Sequence, residues 1–352
     1  MTSNPISGPS PPLPRFAQIE PIGRCNLACR MCPVHERVDV AGELSFGRFR
    51  ELLDQMPTLE TLHLQGLGEP MLHPRFFDMV ALAASRGIRV SANTNLTLLT
   101  PARARRCVEC GLAGLSVSID GASRDVYQAI RRKASFDKVL RNLGRLMRAR
   151  EEAGSALEVR GVMVLMRGNL DELPALVRLL HDHGVRELLV QRLSSDLEQR
   201  GLAPGYIPIR EYVHDAQLRA VDLGRAEEVF AAARALADAL GLALHLPRLS
   251  PKAQAERPSD AHEAPQARCR WPWEQLYVTA GGELLPCCMV ATADRASFGN
   301  VFDGESAERR DAHPGGLLRR WEGNEAQAFR AALASDSPPE VCRGCALYRG
   351  TF

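Results

Sequence analysis

Between Phe16 and Arg192, short apolar runs alternate with longer stretches whose apolar residues recur at helical spacing. The runs Phe16–Ile22, Thr61–Gln65, Arg89–Ala92, Leu115–Ile119, Glu158–Leu165 and Glu187–Gln191 read as strands. Phe46–Gln55, Pro74–Ser85, Pro101–Glu109, Arg124–Ile130 continuing into Ser135–Ala149, and Leu170–His183 read as helices. Thr100 before Pro101 has the cap-then-proline order of a helix start, and Gly111 and Gly184 stand where helices stop. Repeated strand–helix units need right-handed crossovers and hence a parallel sheet. Six units ending near residue 192 predict an α/β fold built on an open, partial (β/α)6 TIM-like barrel (16–192) and not a closed eight-stranded one. Functional residues are then expected on the loops that follow the carboxyl ends of the strands.

The pattern weakens after residue 192. Arg225–Leu240 has alanine and leucine at helical spacing, and Leu242–Leu246 is a candidate for one further strand. Residues 193–268 read as a connecting segment packed on the barrel that becomes a polar linker from Ser250 to Ala267. A small cysteine-rich α+β domain follows at 269–352. Its hairpin has a strand at Leu276–Thr279, a turn at Gly281-Gly282 and a return strand reaching Cys287. Residues 1–15 hold five prolines, no basic start and no apolar run, and read as a disordered leader and not a signal peptide.

Composition excludes more than it names. Apolar content of 45% and charge of 24% are ordinary, and a net charge of +2 creates no strong field for nucleic acid or anionic lipid. Lysine occurs only at Lys133, Lys138 and Lys252, an arginine bias that reads first as genomic base composition. No apolar run approaches the ~20 residues of a membrane span. A cytoplasmic protein with no nucleic-acid or membrane partner is expected. In that reducing setting the ten cysteines point to metal or catalysis before disulfides.

Three of them, Cys25, Cys29 and Cys32, fall on the loop after the first strand as Cys-x3-Cys-x2-Cys. A closed zinc or iron–sulfur site normally takes four protein ligands, whereas a metal that must bind a small molecule keeps a position open. On spacing alone, three thiols also suit zinc. Further polar residues and glycines gather on the other strand ends: Gly66-Leu67-Gly68-Glu69-Pro70, Asn93-Thr94-Asn95, Asp120-Gly121 and Gln191. Singly each reads as a turn or a cap. Together they mark one rim.

With the thiols, this rim resembles the radical S-adenosylmethionine (SAM) enzymes over residues 16–192. The resemblance implies that Cys25, Cys29 and Cys32 hold a [4Fe–4S] cluster whose fourth iron takes the methionine part of SAM. It puts Gly68 and Glu69 where the SAM amino group is received, and Met31 near adenine, at a position that is often aromatic in the family. Ser116-Val-Ser-Ile-Asp-Gly121, followed by Tyr127, Ile130-Arg131 and Ser135-Phe136-Asp137, is similar to the family's fourth-strand region. Ser118 and Arg131 thereby acquire contacts to the ribose and carboxylate of SAM, and Asn93, Asp120 and Gln191 complete the expected cofactor-binding set. Thr94-Asn95-Leu96 departs from the family's Thr-Asn-Gly.

A second thiol set comprises Cys269, Cys287, Cys288, Cys342 and Cys345. Twelve residues separate Cys269 from Gly282, four separate Gly282 from Cys287, and Cys342-Arg-Gly-Cys345 follows. This resembles the SPASM domain in its shortened twitch form. It implies that Cys269, Cys287, Cys342 and Cys345 hold an auxiliary [4Fe–4S] cluster, with Cys288 spare; without the barrel beside them, these four thiols would read as a zinc knuckle. Cys107 and Cys110 read as buried structural thiols at a helix end.

The resemblance implies reductive cleavage of SAM to a 5′-deoxyadenosyl radical that takes a hydrogen from a substrate C–H bond, fed by an electron donor such as flavodoxin or ferredoxin. A fully ligated auxiliary cluster suits electron acceptance, so the expected activity is that of an oxidoreductase dehydrogenating a small molecule such as an aminocyclitol or sugar. The alternatives are modification of a short peptide (thioether, crosslink or epimerisation) and, in a different class, a non-catalytic metal-binding protein. Tyr206, His214, Trp271 and Trp273 are candidates for the barrel mouth, and no catalytic acid or base stands out.

Overall fold

The computed structural model describes residues 11–37, 42–193, 197–249, 269–303 and 316–349. The first ten residues and the linker 250–268 lie outside them.

The strands are β1 (Phe16–Ile19), β2 (Thr61–Leu64), β3 (Arg89–Thr94), β4 (Leu112–Ser118), β5 (Glu158–Leu165), β6 (Glu187–Arg192), β7 (Ala243–His245), β8 (Gln275–Val278) and β9 (Leu284–Leu285). They form one sheet in the order β7-β6-β5-β4-β3-β2-β1-β8-β9, parallel throughout except for the β8–β9 pair. The α-helices up to residue 240 are α1 (Phe46–Asp54), α2 (Phe76–Ser85), α3 (Pro101–Glu109), α4 (Arg124–Ile130), α5 (Phe136–Glu152), α6 (Leu173–Asp182), α7 (Ile207–Ala216) and α8 (Leu223–Leu240). The expected strand–helix alternation therefore exists, but it runs past residue 192, through α7 and α8 to a seventh parallel strand at the Leu242–Leu246 stretch.

Several boundaries move for local reasons. β1 ends at Ile19, ahead of Pro21, which has no N–H for a ladder. The helix expected to continue from α4 into α5 breaks at 131–135, where Lys133 takes φ +69°. The return strand of the C-terminal hairpin is only two residues long and stops at Pro286. Trp271–Glu274 forms a helical turn before β8. Pro11–Arg15, read above as leader, lie against the fold: Trp321 Nε1 donates to Pro11 O at 2.8 Å, and Leu13 packs on the main core.

Alternation along the strands divides the sheet into two faces. Ala17, Ile19, Leu62, Leu64, Val90, Ala92, Leu115, Val117, Val159 and Met163 face the helices and are buried in the main apolar core. The other parity, Gln18, His63, Ser91, Asn93, Ser116, Ser118, Arg160 and Gln191, faces the barrel lumen and is largely polar. A second apolar cluster (Ile130, Met166, Leu193, Leu197, Tyr206, Ile209, Val213) forms where the segment before α7 folds over the strand ends, with Met31, Val164 and Tyr212 against it.

The unexpected pairing is β8 with β1. Phe16 to Ile19 lie in register with Gln275 to Val278, so the C-terminal hairpin continues the barrel sheet and does not stand apart from it.

Candidate active site

The cysteine loop leaves β1 and is clamped from three sides. Glu69 N–H donates to Arg24 O at 3.0 Å, and Gly68 lies so close beneath that a Cβ there would sit 1.9 Å from Ile22 O. Only glycine fits this contact. From the other side, Ala28 N–H donates to Arg132 O and Arg30 N–H to Ile130 O, at 3.1 and 3.2 Å. Asn95 bridges the third side: its Nδ2 donates to Asn26 Oδ1 at 3.1 Å and reaches Cys25 Sγ at 3.8 Å.

Around this loop the residues of the rim converge. Glu69 is buried, and its carboxylate accepts from Thr94 Oγ1 and Asn95 N–H, both at 2.7 Å, and from Met71 N–H at 3.2 Å. Burial raises its pKa, and those three bonds oppose the rise. Asp120 accepts from Val164 N–H at 2.8 Å and stands 2.7 Å from Arg131 Nε, although not in line for a hydrogen bond. Arg131 NH1 reaches Cys29 Sγ at 3.9 Å. Burial opposes the charge on Arg131, but Asp120 and Cys29 hold its pKa above the ordinary value. Met31 packs in the second cluster beside Tyr212, whose ring lies 4.2 Å from the Arg30 guanidinium and whose hydroxyl meets Met166 Sδ at 3.4 Å.

The other expected cofactor residues sit lower, on the lumen face. Asn93 pairs with Ser116, Ser118 with Val162, and Gln191 with Val164 across the ladders. Among the described residues, the side chains of Ser118 and Gln191 make no hydrogen bond, and Asn93 Oδ1 is buried without one.

The second thiol group assembles around β9. Burial raises the pKa of Cys287 and Cys342, and the neighbouring thiols add to the rise: Cys288, Cys345 and Cys342 for Cys287, and Cys345 and Cys269 for Cys342. Gly282 turns the hairpin at φ +93°, against Phe302 and Asn300. The loop beyond Cys288 meets the barrel: Tyr206 OH contacts Thr292 Oγ1 and Asp294 Oδ1 at 3.0 and 3.1 Å, and Arg295 Nε donates to Gln199 Oε1 at 2.8 Å. Tyr206 is thus a buried joint, whereas His214 is exposed on α7 and Trp271 meets Phe16 edge-on at 6.2 Å. Cys107 is buried in the main core with Cys110 against it, as a structural reading requires.

Sequence reading missed Glu20. It is fully buried and accepts from Leu67 N–H at 2.8 Å, Ala280 N–H at 3.1 Å and Arg37 NH1 at 3.1 Å, so one carboxylate joins β1, the Gly68–Glu69 loop and the C-terminal hairpin. The available signal was parity: Phe16, Gln18 and Glu20 alternate inward, and a carboxylate between Ile19 and Pro21 at a strand end is anomalous.

The sequence profile of the Radical SAM superfamily matches residues 19–180, and that of the SPASM iron-sulfur cluster-binding domain matches residues 269–346. The chain belongs to the radical SAM superfamily and carries a SPASM domain. A tungsten-containing aldehyde ferredoxin oxidoreductase cofactor-modifying protein of Pyrococcus furiosus is 29% identical over 282 residues, 78% of this chain and 70% of that protein. The mycofactocin maturase MftC of Mycobacterium tuberculosis is 31% identical over 161 residues, 46% of this chain but only 40% of the maturase. Streptococcus suis SuiB bound to precursor peptide SuiA superposes with a TM-score of 0.67 over 96% of this chain and 70% of SuiB, at 16% identity, a likeness of fold.

A radical SAM barrel with a SPASM domain implies a [4Fe–4S] cluster, SAM and an auxiliary iron–sulfur cluster. The donor sets fit. None of the ten cysteines is joined in a disulfide. Burial pushes Cys25 and Cys29 up and Cys32 to about 12, so as thiolates they need a cationic partner. Among the described residues no three His, Cys, Asp or Glu side chains converge on one point for a single ion. A cubane makes no such demand, because each thiolate binds a separate iron.

Proposed function

We propose that this radical SAM protein modifies a peptide at an unactivated C–H position. Cys25, Cys29 and Cys32 would hold the SAM-binding cluster, and Cys269, Cys287, Cys342 and Cys345 the auxiliary one. When bound and reduced, the first cluster with SAM supplies a carbon-centred radical able to take a hydrogen atom from substrate. The chain's own residues position and shield. Glu69 offers remaining acceptor capacity to an ammonium group, Arg131 offers its guanidinium to a carboxylate, and Met31, Met166 and Tyr212 form an apolar wall that keeps water from the site.

The observation that carries the reading is the convergence of Glu69 and the Asp120–Arg131 pair on a loop bearing three uncommitted thiols. A metal-storage protein has no use for that arrangement. The substrate class is supported by the MftC relative, whose name is that of a maturase, and it shifts the weight from small-molecule dehydrogenation to peptides. The Pyrococcus relative, a cofactor-modifying protein, keeps small molecules in the test.

The experiment is anaerobic reconstitution, reduction in the presence of SAM, and chromatography for 5′-deoxyadenosine. Short peptides encoded beside the gene and a panel of aminocyclitols and sugars are then compared by mass spectrometry. Modification confined to the small molecules would overturn the peptide reading. On the loaded protein, Glu69→Ala and Arg131→Ala should each weaken SAM binding by about tenfold or more in calorimetry. Unchanged affinity in both removes these residues from the site.

A further inference from the structure

The lumen carries a polar rung of which the expected SAM-binding set includes only Asn93, leaving Ser116 and Arg160 without a task there. Asn93, Ser116 and Arg160 are register partners on β3, β4 and β5. Arg160 Nε donates to Ser116 Oγ at 2.8 Å, which holds the guanidinium over the lumen. Its nearest carboxylate, Glu187 on β6, stands 3.7 Å away, beyond hydrogen-bond distance, and the Arg160 side chain is 40% exposed. That charge reaches across the barrel: it helps depress the imidazole of His63 on β2, with β3 and β4 lying between. His63 is itself fixed, with Nδ1 2.8 Å from Ser91 Oγ and Nε2 against Gln65. Beside them Asn93 Oδ1 is buried with no donor.

A carbonyl oxygen buried without a donor is costly unless a ligand completes it, and the Arg160 guanidinium beside it has an exposed face open to a ligand. Placed on one rung, they are complementary to a carboxylate and an N–H only a few bonds apart. Guanidinium forks match carboxylates in two parallel bonds, and an amide oxygen matches a backbone N–H. A terminal amino-acid residue carries both groups on one Cα.

We propose that this rung receives the C-terminal residue of a peptide substrate, with Arg160 binding its carboxylate and Asn93 accepting its backbone N–H. The assignment rests on the peptide reading given above and narrows it to substrates whose reacting residue lies near a free C-terminus.

The test uses the cluster-loaded enzyme with SAM and calorimetry on three probes: N-acetylated dipeptides as free acids, the same dipeptides as carboxamides, and acetate. Free acids should bind about tenfold or more tighter than carboxamides. Arg160→Gln should abolish that preference, Arg160→Lys should keep part of it, and Asn93→Ala should weaken both peptide forms while leaving the preference. SAM affinity should be unchanged in Arg160→Gln, which separates loss of the rung from loss of the fold. Equal binding of acid and amide by the wild type, or a preference that survives Arg160→Gln, overturns the assignment and leaves the peptide reading standing. Arg160-dependent binding of acetate with no peptide bound overturns the peptide reading and keeps the cationic rung. No binding of any probe overturns both.

Discussion

Ala280 N–H donates to Glu20 Oε2 at 3.1 Å, a bond between residues 260 positions apart that ties the SPASM hairpin to the strand feeding the cysteine loop. The same carboxylate holds Arg37 and Leu67 N–H. Glu20→Ala strips three donors at once and leaves the Arg37 charge buried. Breaking a buried ion pair costs about 3–5 kcal/mol, and Glu20→Gln, which keeps one acceptor oxygen, should cost less. Denaturant titration of the loaded protein measures both. A loss below about 1 kcal/mol in Glu20→Ala would mean that water satisfies these donors.

Gly68 makes a sharper local demand. A methyl group there would overlap Ile22 O, so Gly68→Ala must push the Glu69 loop off the cysteine loop. The expected result is loss of the SAM-binding cluster with the auxiliary cluster retained, read as half the iron content and an altered EPR spectrum. Full iron content with normal SAM affinity would show that the two loops separate without penalty.

The two thiol groups should behave as separate sites. Replacing Cys25, Cys29 or Cys32 by alanine, or any of Cys269, Cys287, Cys342 and Cys345, should remove about four irons per chain, the content of one cubane. Cys288→Ala and Cys107→Ala should remove none. If Cys288→Ala empties the auxiliary site, the ligand set must be redrawn.

His63 offers a pH test. Burial holds its imidazole below the ordinary value of 6.5, Gln65 opposes that shift and Arg160 adds to it. A depressed value means the fold favours the neutral ring. Its contribution is whole above pH 6.5 and is lost as pH falls through the lowered value. Melting temperatures followed from about pH 7.5 to about pH 5 should fall more in the wild type than in His63→Gln, and Arg160→Gln should lie between them. Parallel curves for all three would show that His63 is not coupled to the fold.

Much of this architecture was legible because parallel α/β sheets impose a repeat on the sequence. Periodicity located β5 (Glu158–Leu165), α3 (Pro101–Glu109) and α4 (Arg124–Ile130) to the residue. The thiol spacing singled out the Cys25–Cys32 loop, which the fold sets against Asn95 and Arg131. What escaped was non-local. No local pattern tells β8 to pair with β1 across the whole chain, or Glu20 to bind Ala280. Asn95 was readable as a helix cap, yet its amide goes to Asn26 and Cys25, because the turn it occupies faces another loop. The rung of Arg160 was hidden for a related reason: polar residues on one parity of a strand resemble a solvated face until the sheet curls them inward.

The β1–β8 pairing also sets an order of events during biosynthesis. β1 leaves the ribosome before β8, and its outer edge then waits for that strand, which follows more than 250 residues later. Through that interval the newborn chain presents an unpaired strand edge and a cysteine loop whose anchor, Glu20, lacks its Ala280 donor. Iron delivered before the chain is complete would meet a loop still free to move. Metallation of the Cys25–Cys32 loop should therefore follow synthesis of the β8 hairpin, and cells short of iron should accumulate a metal-free species, not one loaded at that loop alone.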